Sequence, residues 1–237
     1  MLSKLNACGK SGVVQIDTIH FKYALSFDLN RSRFAVIAGD KEGHIVKGYI
    51  YISSTNADPE RNRNLNDPIL RRTPTLGGCM PPMRRLVQRG DYVFVISGTT
   101  RGVQQYVVGG FQVAEKINAL AAYERFPENR LQLNADGKLV GNVLVDSAGN
   151  QHPLDTHSSK NFARRIENYL VGVNPVALET PREVAQGRNE TLERLSYILE
   201  KQRANRVIDL MGRWARLDQA QIEKTLDWLQ GIKAQSV

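Results

Sequence analysis

Apolar residues fall in short alternating or continuous runs along the first three quarters of the chain and at helical spacing along the last quarter. Ile19, Phe21, Tyr23, Leu25 and Phe27 alternate with His20, Lys22, Ala24 and Ser26. That period of two predicts a half-buried strand, ending at Asp28-Leu29-Asn30. Residues 33–38 (RFAVIA) and 45–53 (IVKGYIYIS) predict two more strands around the loop 39–43, in an opening β-meander. Residues 92–96 (YVFVI) are apolar throughout, as in a strand central to its sheet. A polar hairpin, 97–104, returns the chain as a partner strand over 106–113, where Gly109-Gly110 marks a bulge or a close backbone approach. Further strands are expected over 139–145 and 169–178, the latter closing the main domain. Residues 115–123 (EKINALAAY) predict a helix. A shorter one is expected to start at Met83, because Pro81 and Pro82 suit a first helical turn. Met83, Leu86 and Val87 would then face the core, with Arg84, Arg85 and Arg89 on other faces.

From Thr180 the period changes to about 3.6. Thr180, Pro181 and Glu183 form a helix-start signature. Leu192, Leu195, Ile198 and Leu199 make one apolar stripe, and Val207, Ile208, Leu210, Met211, Trp214 and Leu217 a second. A third, led by Asp218 as cap, carries Ile222, Leu226, Leu229 and Ile232. The pattern predicts a main domain over 1–179 and a three-helix segment over 180–237, with Trp214 and Trp228 in its core. The helices are also the surface expected to meet a second copy or a protein partner.

Two polar stretches interrupt this pattern. Residues 54–74 are rich in Asn, Asp, Pro and Arg, and loops of about 20 residues are often functional. Residues 151–168 form a second polar loop, with His152, Asp155, His157, Arg164 and Arg165. The formal charge of the 237 residues is +8, which suits a polyanionic partner. Between Arg61 and Arg89 there are seven arginines, no lysine and one acidic residue, Asp67. Arginine offers the forked donor geometry that matches phosphate. Arg71, Arg72, Arg84, Arg85 and Arg89 are the candidate nucleic-acid contacts. The segment from 180 carries ten basic and eight acidic side chains, so the charge lies mostly before it.

No apolar run reaches the roughly 18 residues of a membrane span, and residues 1–21 lack the long apolar stretch of a secretory signal. A cytoplasmic protein with Cys8 and Cys79 as free thiols is therefore expected. The four histidines are scattered and no CxxC occurs, so neither a metal nor another cofactor is expected. There is no P-loop, no GxGxxG after a strand, no GxSxG and no HExxH. Cys79 with His157 or His20 is a conceivable nucleophile–base pair. Asp28 and Asp91 are the candidate catalytic carboxylates, although Asp91 in a Gly-Asp turn before a strand is more often a turn former. A base reader needs aromatic surface, a few polar groups at a base edge, and arginines for phosphate. Tyr23, Phe27, Tyr92 and Phe94 on strands, with Asp28, Asn30 and Ser97 at strand ends, supply that set.

The run TPTLGGCMPPMRRLVQRGDYVFVISG, followed by YVVGGFQVAEKI, resembles the PUA-like superfamily, which includes the EVE, YTH and ASCH domains. Within it, residues 73–91 are most similar to the nucleotide-modification-associated domain families found near phage and bacterial DNA-modification systems. The compact Gly-Pro-Asn segment those families often carry early is replaced here by DLNRSRF and an insertion over 39–72, and the tail from 180 has no counterpart. The resemblance implies an α+β fold: a PUA-like mixed β-barrel with flanking helices, extended here by a C-terminal helical appendage. It implies a reader of a modified nucleobase, DNA more than RNA, in antiviral defence or DNA modification. Tyr23 or Phe27 would stack on the flipped base, Asp28, Asn30 and Ser97 would meet its edge, and Arg84 and Arg85 would hold phosphates. The alternative on the same scaffold is a DNA glycosylase with Asp28 or Asp91 as its carboxylate.

Overall fold

A computed structural model describes residues 44–61 and 65–236. In chain order the elements are strand β1 (Gly48–Ile52), β2 (Thr75–Leu76), helix α1 (Pro81–Leu86), β3 (Tyr92–Ile96), β4 (Val107–Ile117), α2 (Ala119–Arg125), β5 (Gln132–Leu133), β6 (Leu139–Val140), α3 (Phe162–Ile166), β7 (Tyr169–Ala177), α4 (Pro181–Ile198), α5 (Val207–Met211), β8 (Trp214–Leu217) and α6 (Gln219–Ala234). The architecture is mixed α+β. Six strands form one sheet in the order β2-β7-β4-β3-β1-β8, and β5-β6 is a separate ribbon. Among the described residues the large sheet is open, with β2 and β8 at its edges.

The expected apolar hairpin is β3–β4, paired from Tyr92↔Gln112 to Ile96↔Val107. All five side chains of β3 are buried, as its uniform apolar sequence requires of a central strand. Gly110 faces Phe94, and Gly172 on β7 faces Phe111. A Cβ at either glycine would lie within 2.4 Å or 2.1 Å of that ring. The glycines therefore give the two phenylalanines their seats across neighbouring strands.

The strand over 33–38 and the residues 19–30 lie outside the described residues. The opening meander is corrected at β1, whose two sides are taken by β3, in parallel, and by β8, antiparallel. A parallel pair needs a long crossover rather than a tight turn. Here the crossover is residues 53–91, which carry the arginine-rich loop, β2 and α1.

Three boundaries also differ from the sequence pattern. β4 runs on to Ile117 because Glu115, Lys116 and Ile117 pair with Val171, Leu170 and Tyr169. The helix starts only after Asn118, whose Oδ1 accepts from the Ala121 N–H at 2.8 Å. The strand expected over 139–145 stops at Val140, before Gly141 at φ +94°, and the 151–168 loop contains α3. Beyond 180, the middle apolar stripe is not one helix. Gly212, at φ +68°, ends α5 after Met211, and Trp214–Leu217 then pairs with β1 as β8. Ladder bonds to an open strand edge outweigh the helical period there. The outer two helices are as read: Thr180 and Glu183 close a capping box on α4, and Asp218 caps α6. The described residues form one compact unit that runs through position 180. No described helix is long and apolar enough to cross a membrane.

Candidate nucleic-acid interface and adjoining pocket

The site is built on the turn Gly77–Gly78–Cys79, between β2 and α1. Asp67 holds it. One carboxylate oxygen accepts from the Gly77 N–H at 2.8 Å, the other from Gly78 at 2.8 Å and Cys79 at 2.5 Å. Asn142 Nδ2 donates to the same carboxylate at 3.0 Å and to Thr75 Oγ1 at 3.1 Å, while Asn142 Oδ1 accepts from the Tyr169 hydroxyl at 2.7 Å. Gly77 is required at its place, because a Cβ would come within 2.1 Å of the Asn142 carbonyl oxygen. Tyr51, at the end of β1, donates its hydroxyl to the Asp67 carbonyl at 3.4 Å.

The carbonyls of the turn point the other way, onto arginines. Arg84 is fully buried. Its Nε donates to the Cys79 carbonyl at 2.7 Å, its Nη2 to those of Arg165 at 2.9 Å and Gly78 at 3.4 Å, and its Nη1 to that of Asn168. Burial lowers the pKa of this guanidinium, with the Asp67 carboxylate opposing the shift. Arg84 thus ties α1 to the end of α3, and its guanidinium is enclosed rather than presented to a phosphate. The reason is geometric: on a helix beginning at Pro81, position 84 lies on the buried side beside Met83 and Val87.

Two concavities flank the turn. The first is a cleft of about 480 Å³ between α1 and α3, lined by Pro81, Pro82, Arg85, Asn161, Arg164, Arg165, Glu167 and Asn168. Arg85 and Arg164 are exposed, and Arg165 Nη1 donates to the Gly78 carbonyl at 2.9 Å. Three guanidiniums against one carboxylate make this cleft suited to an anion. The second is a pocket of about 160 Å³ on the opposite side of the turn. Asn66, Asp67, Gly78, Cys79 and Asn142 line it together with Ser53 from the end of β1 and Asp155 and His157 from the second polar loop.

The expected site residues distribute unevenly over this frame. Arg85 lies in the cleft. Arg71 and Arg72 are exposed on the loop before β2, and Arg71 lines a separate wide groove of about 860 Å³. Arg89 is exposed just beyond α1. Ser97 is fully buried; its Oγ accepts from the Tyr106 N–H at 3.1 Å, closing the end of the β3–β4 hairpin. Asp91 is fully buried as well, and accepts from the backbone N–H of Lys47 at 2.9 Å and of Gln88 at 2.8 Å, with His44 Nε2 at 2.9 Å. Those partners make it the clasp of the turn before β3. Tyr23, Phe27, Asp28 and Asn30 lie outside the described residues. Cys79 and His157 do share a pocket, but burial and the Asp67 carboxylate push the thiol pKa far up, the opposite of what a nucleophile needs.

Asp67, Asn142, Ser53 and Arg164–Arg165 were not legible as site residues from their own neighbourhoods. The available signal was the length and polarity of the two loops, 54–74 and 151–168, which the fold brings together at one turn. Comparison with family models, with curated proteins and with solved structures finds no match.

Proposed function

We propose that this protein binds nucleic acid and reads a modified nucleobase, DNA more than RNA, on a PUA-like scaffold in a defence or DNA-modification setting. One observation carries the reading: an arginine-lined cleft and a small pocket of mixed polar and apolar lining stand on the two sides of one turn, with Gly78 and Arg165 linking them. A reader of this class needs phosphate contacts that position the strand and a pocket that takes one base out of the stack. Arg85, Arg164 and Arg165 supply the first, and the pocket around Asp67 and His157 the second. The sequence resemblance over 73–117 supports the same reading, since it falls on this turn.

A DNA glycosylase on the same scaffold is the second reading. His157, with Nδ1 2.5 Å from the Asp155 carboxylate, gives it an oriented base in the pocket. One assay tests both. The protein is incubated with duplexes carrying cytosine, hydroxymethylcytosine or glucosylated cytosine, and retention and abasic-site formation are scored together. Preferential retention of a modified duplex without abasic sites is the expected result. Equal retention of all three sinks the reader, and abasic sites that disappear in His157→Ala establish the glycosylase.

A further inference from the structure

The two faces of the large sheet treat their basic side chains differently. Successive residues of a strand point to opposite faces. Gly48 of β1 looks toward α6, since a Cβ there would lie 2.7 Å from Ile222 Cγ1. Tyr49 therefore points to the other face, where its hydroxyl donates to the Leu86 carbonyl at the end of α1, at 3.3 Å. One face thus carries α6, with α4 tied to it by the bond from Trp228 Nε1 to Glu190 at 2.8 Å. The other carries α1.

On the α4 and α6 side the positive charge is neutralised. Four of the five cations on these helices, Arg188, Arg194, Lys224 and Lys233, have a carboxylate at 2.9–3.7 Å. Around the end of α1 it is not. Lys116 of β4 donates from Nζ to the Arg85 carbonyl at 3.2 Å. Arg216 of β8 sits opposite Tyr49 in the ladder and holds its guanidinium over that ring, Cζ 5.9 Å from the centroid. Arg85 and Arg216 are exposed. None of the three has a carboxylate at ion-pair distance among the described residues. The acids nearby in the fold or the chain are occupied. Asp91 is fully buried and accepts from the N–H groups of Lys47 and Gln88, and Asp218 accepts from the Gln221 N–H at 2.9 Å as the cap of α6.

Exposed cations without a carboxylate partner raise the local potential and attract phosphates. A guanidinium lying over an aromatic ring is held in place while its edge keeps N–H donors for an anion. We infer that the phosphate track of the interface does not end at the cleft between α1 and α3, but continues from Arg85 across the end of α1 to Lys116 and to Arg216 on the edge strand β8. The inference rests on the nucleic-acid binding proposed above. It adds two contacts that lie outside the arginine run, one of them in the segment after 180, and leaves the α4 and α6 face out of the interface.

The test measures binding of a labelled, unmodified DNA duplex to the full chain over about 50–200 mM salt, where the slope of log K against log salt counts phosphate contacts. Arg216→Gln and Lys116→Gln are each expected to lower the slope by about one unit. Arg216→Lys, which keeps the charge, retains it, and Arg194→Gln, the same loss of charge on the opposite face, leaves it unchanged. Should Arg216→Gln fail to fold, Lys116→Gln decides against the Arg194→Gln control. A wild-type slope in Arg216→Gln or Lys116→Gln, an equal fall in Arg194→Gln, or a slope lost in Arg216→Lys as well would overturn the inference. The two proposals fail separately. A protein that prefers a modified duplex while both glutamine variants keep the wild-type slope retains the reader and loses this track. One whose slopes fall as expected but which holds all duplexes alike retains the track and loses the reader.

Discussion

Arg84 and Arg85 are neighbours on one six-residue helix, yet one is enclosed and the other faces the open cleft. The same contrast separates the two sides of the Gly77–Cys79 turn. On the pocket side, nearly every polar atom is held by another: Asp67 by three backbone N–H groups, Asn142 by Thr75 and Tyr169, His157 by Asp155. On the cleft side, Arg85 and Arg164 extend into solvent. Charge in a sequence therefore does two kinds of work here. Enclosed charge fixes the shape of the turn, and exposed charge is available to a ligand.

The contrast breaks first at Arg84. Arg84→Met removes the guanidinium that serves four carbonyl oxygens, that of Gly78 keeping its bond from Arg165, and breaking such a buried charged network costs about 3–5 kcal/mol. Urea denaturation should show that loss. A change under about 0.5 kcal/mol, as at an ordinary surface position, would mean that Arg84 does not hold the turn. Asp67→Asn comes next. The amide replaces one acceptor by a donor facing an N–H, and losing hydrogen bonds to a charged group costs about 1.5–3 kcal/mol. Thermal unfolding measures it, and an unchanged Tm would refute the clasp.

Cys79 sharpens the pocket side. Burial and the adjacent Asp67 carboxylate raise its thiol pKa, so the thiolate fraction at pH 8 falls below that of an ordinary thiol of pKa about 8.5. In a Cys8→Ser background, alkylation at pH 8 should be at least about tenfold slower in the native than in the urea-unfolded protein. Equal rates would place the thiol outside the pocket. The smallest stability effect belongs to Arg85→Ala and Arg164→Ala, each expected within about 0.5 kcal/mol of wild type. Their consequence is in binding: each should reduce the steepness of the salt dependence of duplex binding by about one unit, uniformly across sequences. A salt slope identical to wild type in both variants would remove the cleft from the interface.

Local pattern was enough for the β3–β4 hairpin, for β7, for the start of α1 and for the caps of α4 and α6. In each of these, the residues that decide the conformation are within a few positions of one another. It was not enough for β8, whose residues continue an apolar helical stripe, nor for the last residues of β4. In both, a partner strand far along the chain supplies hydrogen bonds that outweigh the local preference. It also could not place Ser97, whose polar side chain at a strand end suits a ligand and a structural clasp equally well, while for Asp91 the turn-forming reading is the one the structure shows.

The sequence by itself determined an α+β chain with a basic balance concentrated before residue 180, a run of arginines around a glycine–proline turn, and two long polar loops. Only the tertiary structure decided which arginines face outward and which side chains share a pocket. The physical reason is the crossover between β1 and β3. A parallel pair obliges residues 53–91 to travel from one strand to the other, and that path sets Ser53, Asp67 and Cys79 against Asn142 and His157, which lie far from them along the chain.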